Sequence, residues 1–190
     1  FPSEVAEFIR WYARHQLPDG HVPCCIDRRG ADNVAEHDSP GQFIWLVAQY
    51  YRFTRDVGLV ADLWPNVVRA IEYLERLRAQ RTTATYREPA MEAFYGLLPE
   101  SISHEGYAAH PVHSYWDDYW ALAGLRAAPL LANAVGDLER HGAFSQLALE
   151  FEEDVVASVP RAMAMHATPY MPGSVDLGDF DPTSTAIAVT

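Results

Sequence analysis

The sequence predicts an all-α protein made of helical hairpins. Apolar residues recur at helical spacing through most of the 190 residues. The predicted helices also follow a fixed order, in which a long loop leads into a buried helix, a short turn and then an amphipathic helix. Buried helices begin near Pro40, Trp116 and Pro182, so the unit recurs at intervals of roughly 65–80 residues.

The first helix is predicted to run from Ser3 to about Gln16. Ser3 can cap its N-terminus, and acidic residues follow in its first turn. Its apolar residues fall at helical spacing: Val5, Phe8, Ile9 and Tyr12. The turn sequence over residues 17–20 ends this helix, and a polar stretch without periodicity continues to about Ser39.

The next two helices are predicted to form a hairpin. Ser39 and Pro40 serve as capping residue and first residue of the second helix, which continues to about Tyr51. This helix is apolar around much of its circumference, as is typical of an interior helix. After a break at residues 56–58, a third helix over residues 60–81 carries apolar residues on one side and charged residues on the other.

The same pattern then repeats. An irregular stretch over residues 82–115 precedes a largely apolar fourth helix from about Trp116 to Val135. A turn at residues 136–137 leads to a fifth helix over residues 138–166. A third irregular stretch, over residues 168–180, leads to a further helix that starts at Asp181. Loops of this length are uncommon in compact domains unless they have a function.

The short turns place all the long loops at one end, together with the N-termini of the buried helices, which attract negative charge. Stacked hairpins with an inner and an outer layer form a solenoid or a closed toroid, and apolar interior helices favour closure. A ring of six hairpins needs about twice this length. We therefore expect residues 1–190 to be a single all-helical domain, or a fragment of one, that forms about half of an (α/α)6 toroid.

Composition excludes several functions. The net charge of −12 disfavours binding to nucleic acid or to an anionic membrane surface. No apolar run reaches the ~20 residues that cross a bilayer. All 14 basic residues are Arg, which excludes lysine-based Schiff-base and P-loop chemistry. The adjacent Cys24 and Cys25 make no disulfide framework, so the compartment stays undecided. No cofactor is predicted.

Each buried helix begins with an acidic segment: residues 37–40, 115–120 and 178–183. N-capping is the favoured explanation for Asp181. For Asp38, N-capping and a role in a binding site are equally favoured. Capping does not account for Asp117 and Asp118, which lie between two Tyr-Trp pairs. A sugar packs its C–H face on Trp or Tyr and donates its hydroxyl protons to Asp. Trp116 and Asp117 are therefore predicted to bind a sugar.

The middle loop holds two candidate catalytic carboxylates. Glycoside hydrolysis needs one carboxylic acid to protonate the leaving oxygen and a second carboxylate opposite it. Glu105 is the first candidate because it stands beside His104 and before a glycine, and Glu100 is the competing candidate. For either residue the alternative is a solvated loop carboxylate.

A metal site is the weaker interpretation of this loop. His104, Glu105, His110 and His113 offer nitrogen and oxygen ligands, but their spacing matches no standard zinc motif. The Asp117–Asp118 pair alone also lacks the third acidic position of the metal-binding motif in helical terpene cyclases. We therefore predict no metal site.

Four segments resemble bacterial six-hairpin glycosidases: Ser-Pro-Gly-Gln-Phe (39–43), Gly-Leu-Leu-Pro-Glu-Ser (96–101), Tyr-Trp-Asp-Asp-Tyr-Trp (115–120) and the acidic segment over residues 172–185. That superfamily includes trehalases, glucoamylases and inverting phosphorylases on an (α/α)6 barrel. The Tyr-Trp-Asp-x-Tyr-Trp element is similar to one that lines the sugar subsite of trehalases. The resemblance implies that Trp116 and Asp117 contact substrate and that hydrolysis inverts the anomeric centre.

The leading expectation is therefore a glycoside hydrolase that acts on an oligo- or polysaccharide. Glu105 or Glu100 is expected to donate the proton. The expected substrate-binding residues are Asp38, Gln42, His104, Tyr107, Trp116, Asp117, Asp118 and Asp179. Two alternatives stay open: a non-catalytic polysaccharide-binding toroid, and a polysaccharide lyase in which Tyr107 and His104 abstract a proton. We also expect the segment to pack against the rest of a larger parent chain.

Overall fold

The computed structural model describes residues 1–32, 34, 36–102 and 107–188. Within these residues the chain forms six α-helices: α1 (Pro2–Ala13), α2 (Asp38–Thr54), α3 (Val57–Ala79), α4 (Tyr115–Val135), α5 (Leu138–His166) and α6 (Pro182–Ala188). Two short antiparallel strands, β1 (Ile26–Asp27) and β2 (Gly30–Ala31), and two 3-10 helices, Ala84–Arg87 and Glu92–Phe94, lie in the loops. The prediction of an all-α fold is confirmed, whereas the toroid stays a prediction.

The predicted helix boundaries differ from the observed ones by up to three residues, at helix starts and at helix ends. Helix α1 begins at Pro2 with Phe1 as its cap residue, and the Ser3 hydroxyl donates to the Glu4 carboxylate instead of capping. Proline needs no hydrogen-bond partner for its nitrogen, so Pro2 can occupy the first helical position and displace Ser3 as the start. Helix α3 begins at Val57, because Asp56 caps it by accepting from the Leu59 N–H at 3.0 Å.

The helices form two layers. In the inner layer α4 contacts both α2 and α6, and in the outer layer α3 contacts α1. Helices α3 and α5 meet through the Trp64 and Phe144 rings, 6.0 Å apart, and through the Arg78–Asp154 ion pair at 2.5 Å. The chain therefore alternates between layers, with α2, α4 and α6 on the inside and α1, α3 and α5 on the outside.

Two glycines let α2 and α4 approach closely. A Cβ added at Gly41 would overlap the carbonyl oxygen of Trp120, and a Cβ at Gly124 would lie 2.5 Å from the carbonyl oxygen of Gly41. The two backbones are therefore in direct contact, as small residues at a helix crossing allow. This contact sets the spacing of the inner layer just beneath the loops.

The α2–α3 and α4–α5 hairpins use the same two-residue joint. Arg55 and Gly136 both adopt a left-handed backbone, with φ of 59° and 78°, which stops α2 and α4. The next residue caps the outer helix in each case, since Asp56 accepts from the Leu59 N–H and Asp137 accepts from the Arg140 N–H. These tight joints occupy one end, so the long loops collect at the other.

The core lies between the two layers and is almost entirely aliphatic and aromatic. Its largest fully buried side chains include Tyr115, Phe43, Phe151, Ile9, Ile44, Leu59, Ile71, Leu74, Leu97 and Leu131. The Tyr115 hydroxyl meets the Ser158 hydroxyl at 2.7 Å, so its polar atom is satisfied inside this core. In the part of the chain that is described, no helix has both the length and the apolarity to span a membrane.

Candidate functional site

The three acidic segments that begin the inner helices lie at the same end of the protein. The Trp116 indole N–H donates to the Asp38 carboxylate at 2.8 Å, which joins the starts of α4 and α2. A bridge between Ser114 and Ser174, with the Tyr115 N–H donating to the Gly173 carbonyl at 3.0 Å, joins the start of α4 to the loop before α6. The loops and the inner-helix N-termini therefore form one continuous surface.

Asp38 is only 3% exposed and accepts hydrogen bonds from three side chains at this end of the protein. One of its carboxylate oxygens accepts from the Trp116 indole and from the Gln42 amide, both at 2.8 Å, and the other accepts from the Ser39 hydroxyl at 3.0 Å. Gln42 stands one helical turn after Asp38, which is why the two side chains meet. Three of the predicted substrate-binding residues, Asp38, Gln42 and Trp116, thus lie in direct contact.

Asp117 lies beneath this group and is only 1% exposed. The Ser101 hydroxyl donates to one of its carboxyl oxygens, and the other oxygen has no partner within the described part of the chain. Burial above all, and then the charge of Asp38, raises the pKa of Asp117 well above its usual value. The protonated form of Asp117 is therefore more favoured than that of an ordinary exposed aspartate.

Asp118 is buried in a different environment. Its carboxyl group accepts from the backbone N–H of Leu98 at 2.9 Å and so holds the loop that carries Glu100. Burial raises the pKa of Asp118 to about 8. With 1% of its surface exposed, Asp118 supports the site from below and presents no surface for a ligand.

Glu100 lies at the rim in an ionic cluster with Arg81, His113 and Asp176. The Arg81 guanidinium donates to the Glu100 carboxylate and, at 3.1 Å, to His113 Nε2. His113 Nε2 therefore accepts, which places the imidazole proton on Nδ1, 3.2 Å from the Asp176 carboxylate. The cluster ties α3 to the two loops that frame the site.

The state of Glu100 does not match that of a proton donor. Burial alone raises the pKa of its carboxyl, but a backbone hydrogen bond and the nearby Arg81 and His113 outweigh burial and lower it. A general acid requires the opposite shift. Glu100 is half exposed and anionic, and is thus suited to accept hydrogen bonds or a proton.

Tyr107 and Asp179 form a second contact group, at the start of α6. The Tyr107 hydroxyl donates to one Asp179 oxygen at 2.7 Å, and the Ser174 hydroxyl donates to the other at 2.8 Å. Burial and the hydrogen bond to Asp179 raise the pKa of Tyr107 far above its usual value. Asp179 lies in the loop before α6, which the Ser114–Ser174 bridge joins to the start of α4.

A row of tryptophans extends from Asp38 into a groove. The Trp116 and Trp120 rings pack edge to face at 5.9 Å, and Trp120 packs on Trp45 at 5.7 Å. The groove beside them has a volume of about 500 Å³. Its lining is mostly aromatic and comprises Phe8, Trp11, Tyr12, Cys24, Ile26, Gln42, Phe43, Trp45, Leu46 and Trp120. We call it the aromatic groove.

The sequence interpretation missed part of this site. It assigned no role to Arg81 or Asp176, although Asp176 lies in a segment that carried the family resemblance. No binding role was predicted for Trp120, which lines the groove. No binding role was predicted for Phe8 and Trp11 of α1 either, although both are exposed and line the groove.

Two predicted residues, His104 and Glu105, lie outside the described residues. Within the described part of the chain, no group of three or more His, Cys, Asp or Glu side chains is arranged to hold a metal ion. The chain matches no protein-family model, and no curated protein is significantly similar to it. The function is therefore inferred from the geometry of the site.

Proposed function

We propose that this chain forms the carbohydrate site of a glycoside hydrolase. The observation that carries the proposal is the placement of Asp38, which accepts a hydrogen bond from the Trp116 indole at the head of the tryptophan row and whose charge helps to raise the pKa of the buried Asp117. Acid–base chemistry on a glycosidic bond requires an acidic and a basic carboxyl group, and the raised pKa of Asp117 suits it to the acidic role.

The aromatic groove supports a sugar as the ligand. Pyranose rings present apolar C–H faces that pack on indole rings, while their hydroxyl groups exchange hydrogen bonds with carboxylates and amides. Trp45, Trp120 and Gln42 offer both kinds of surface along one wall. The groove volume of about 500 Å³ lies within the roughly 300–1,000 Å³ that is usual for small-molecule sites. The groove can therefore hold a ligand of several rings.

We assign the proton donor to Asp117 within this proposal. Burial above all raises its pKa, which favours the protonated form that a general acid needs, and one of its carboxyl oxygens has no partner among the described residues. Glu100, which is anionic, then takes the role of acceptor at the rim. Glu105 remains the candidate that the sequence alone favours.

Hydrolysis of a panel of activated aryl glycosides by the full-length parent tests this assignment. Asp117→Asn should lower kcat at least about 100-fold, the usual contribution of a general acid, because the amide keeps the shape but has no acidic proton. Asp62→Asn is the matched control, since Asp62 is an exposed residue of α3 that forms only a 3.5 Å surface pair with Arg10. Activity retained in Asp117→Asn and lost in Glu105→Gln would move the donor to Glu105.

A non-catalytic carbohydrate-binding module is the second candidate. The 1% exposure of Asp117 favours it, because a proton donor must reach the leaving oxygen. In that case tryptophan fluorescence should respond to oligosaccharides, the response should weaken in Trp45→Ala, and none of the glycosides should be hydrolysed. The same panel thus separates the two candidates.

The lyase alternative has less support. A lyase needs a base that is readily deprotonated, whereas burial and Asp179 raise the pKa of Tyr107. The half-toroid remains part of the proposal, since alternating layers with α2, α4 and α6 inside are what a segment of such a ring requires. An exposed depression of about 320 Å³ along the inner layer, between Trp45 and Arg126, is where further hairpins of a larger parent chain would pack.

A further inference from the structure

The two cysteines lie side by side at the edge of the aromatic groove. Their sulfur atoms are 3.3 Å apart, and both are free thiols. Cys24 is half-buried and lines the groove, whereas Cys25 is exposed and lines a neighbouring polar depression of about 250 Å³. One thiol of the pair is therefore open to solvent reagents, and the other belongs to the groove wall.

Hydrogen bonds hold the chain on both sides of the pair. The Tyr12 hydroxyl donates to the carbonyl oxygen of Pro23 at 2.7 Å, and the backbone N–H of Asp32 donates to the carbonyl oxygen of Cys25 at 2.8 Å. The first bond anchors the segment to α1, and the second closes the β1–β2 hairpin. The two thiols are thus kept adjacent by the fold itself.

We propose that Cys24 and Cys25 form a reversible disulfide by exchange with a small-molecule disulfide, and that this reaction alters the wall of the aromatic groove. In the first step the Cys25 thiolate attacks one sulfur of the reagent, which forms a mixed disulfide and releases one thiol. In the second step the Cys24 sulfur attacks the Cys25 sulfur and releases the second thiol. Both cysteines lose hydrogen, and the reagent is reduced to two thiols.

The order of the two steps follows from exposure. Cys25 is the exposed thiol and meets the reagent first. Burial above all, with hydrogen bonds to Glu36 and Cys25 adding to it, raises the pKa of Cys24, so Cys24 is the poorer initial nucleophile. Its 3.3 Å distance from Cys25 gives it the second, intramolecular step.

The resulting disulfide should be easy to reduce. Consecutive Cα atoms across a trans peptide are about 3.8 Å apart, which is shorter than the roughly 4.4–6.8 Å of ordinary disulfides. Such a bridge is strained, and strained or exposed disulfides are the labile ones. Formation of the bridge draws the Cys24 sulfur out of its place in the groove wall. The reaction therefore makes the groove responsive to thiol–disulfide balance, whatever ligand the groove binds.

Incubation with oxidised glutathione tests the covalent step. The protein should lose both titratable thiols, its mass should fall by two hydrogens, and mild dithiothreitol should restore it. Cys24→Ser should stop at a stable glutathione adduct on Cys25, because the resolving thiol is gone. Cys25→Ser should react at least about tenfold more slowly, as a less exposed thiol does. A persistent glutathione adduct on the unmodified sequence, or a covalent dimer on a non-reducing gel, would overturn the proposal.

Tryptophan fluorescence tests the link to the groove. Trp11 and Trp45 line the groove together with Cys24, so disulfide formation should change their emission, and reduction should reverse the change. A variant with both cysteines replaced by serine, treated identically, should show no change. Complete disulfide formation without any change in emission would overturn the effect on the groove. Neither measurement requires the glycosidase proposal to be correct.

Discussion

Asp117 and Asp118 are consecutive residues of α4, yet their side chains contact different parts of the protein. Successive residues on a helix point about 100° apart, so Asp117 faces Ser101 and Asp38 while Asp118 faces the backbone of Leu98. Both carboxyl groups are desolvated, and burial is the main cause of the raised pKa of each. Asp117 belongs to the site, and Asp118 fixes the loop above it.

Asp118 should make stability depend on pH. Folding raises the pKa of the Asp118 carboxyl from about 3.9 in the unfolded chain to about 8. The stability that this shift contributes is fully present below the unfolded pKa and is lost as pH rises through the folded pKa. Between about pH 5 and pH 8 the protein should lose on the order of 3 kcal/mol of unfolding free energy relative to Asp118→Asn, at ~1.4 kcal/mol per pH unit.

Urea unfolding of both proteins at the two pH values measures this difference. Asp118→Asn keeps a side-chain oxygen for the Leu98 N–H but has no proton to lose, so it is the matched reference. Parallel pH dependence in the two proteins would show that Asp118 does not hold its proton in the folded state.

At the residue scale, some side-chain contacts could be predicted from the sequence, whereas the ionisation and burial of individual carboxyl groups could not. The contact of Asp38, Gln42 and Trp116 follows from helix starts that the sequence does show. The lowered pKa of Glu100 could not be predicted, because it depends on a backbone hydrogen bond and on Arg81, which follows the end of α3. Burial of Asp118 is likewise a tertiary effect. Glu105 and the enzymatic role itself stay predictions.

At the scale of elements, the contact between α2 and α4 decides where the site residues stand. Gly41 and Gly124 bring the two backbones together about one turn after Asp38 in α2 and about two turns after Trp116 in α4. A side chain at either glycine would push the helices apart and lengthen the 2.8 Å bond between Asp38 and the Trp116 indole. Helix packing and site geometry are therefore coupled.

Gly41→Ala should therefore be strongly destabilising. The new methyl group would overlap the Trp120 carbonyl, and overpacking of this kind costs roughly 1–3 kcal/mol or more. Gly142→Ala is the control, because nothing lies within 4 Å of its added Cβ and alanine favours a helix interior by about 1 kcal/mol. Thermal unfolding should show a lower Tm for the first variant and an equal or higher Tm for the second. A tolerated Gly41→Ala would mean that the helices are not in backbone contact.

The order and type of the long helices could be predicted from periodicity, because each helix buries one continuous apolar face. The β1–β2 hairpin over residues 26–31 was not predicted, since strands of two residues carry no alternating pattern. The start of α1 was misplaced at Ser3, because a proline in the first position and a serine cap give competing signals. Packing between layers, which places Trp64 on Phe144, has no local signature.

At the scale of the whole molecule, acidic residues outnumber basic ones by 26 to 14. The resulting net charge of −12 makes the folded chain repel itself, since compaction brings like charges closer. Surface ion pairs such as Arg126–Glu152 offset little of this repulsion, because exposed pairs contribute about 0–1 kcal/mol.

Added salt should consequently stabilise the protein at neutral pH. Raising sodium chloride from about 10 mM to about 1 M shortens the screening length from ~30 Å to ~3 Å, and Tm should rise by a few degrees. The same titration near the sequence pI of about 4.9, where the net charge is close to zero, should leave Tm almost unchanged. Equal salt effects at both pH values would point to general salting-out instead of charge repulsion.

The paired joints at Arg55–Asp56 and Gly136–Asp137 have a consequence for how such a scaffold can diversify. Each joint closes its hairpin with two residues and one capping carboxylate, and neither needs help from the opposite end. The framework is thus fixed at the end remote from the candidate site. At the opposite end, the loops can change in length or in side chains while the packing of the hairpins is preserved. New specificities can therefore arise with little risk to folding.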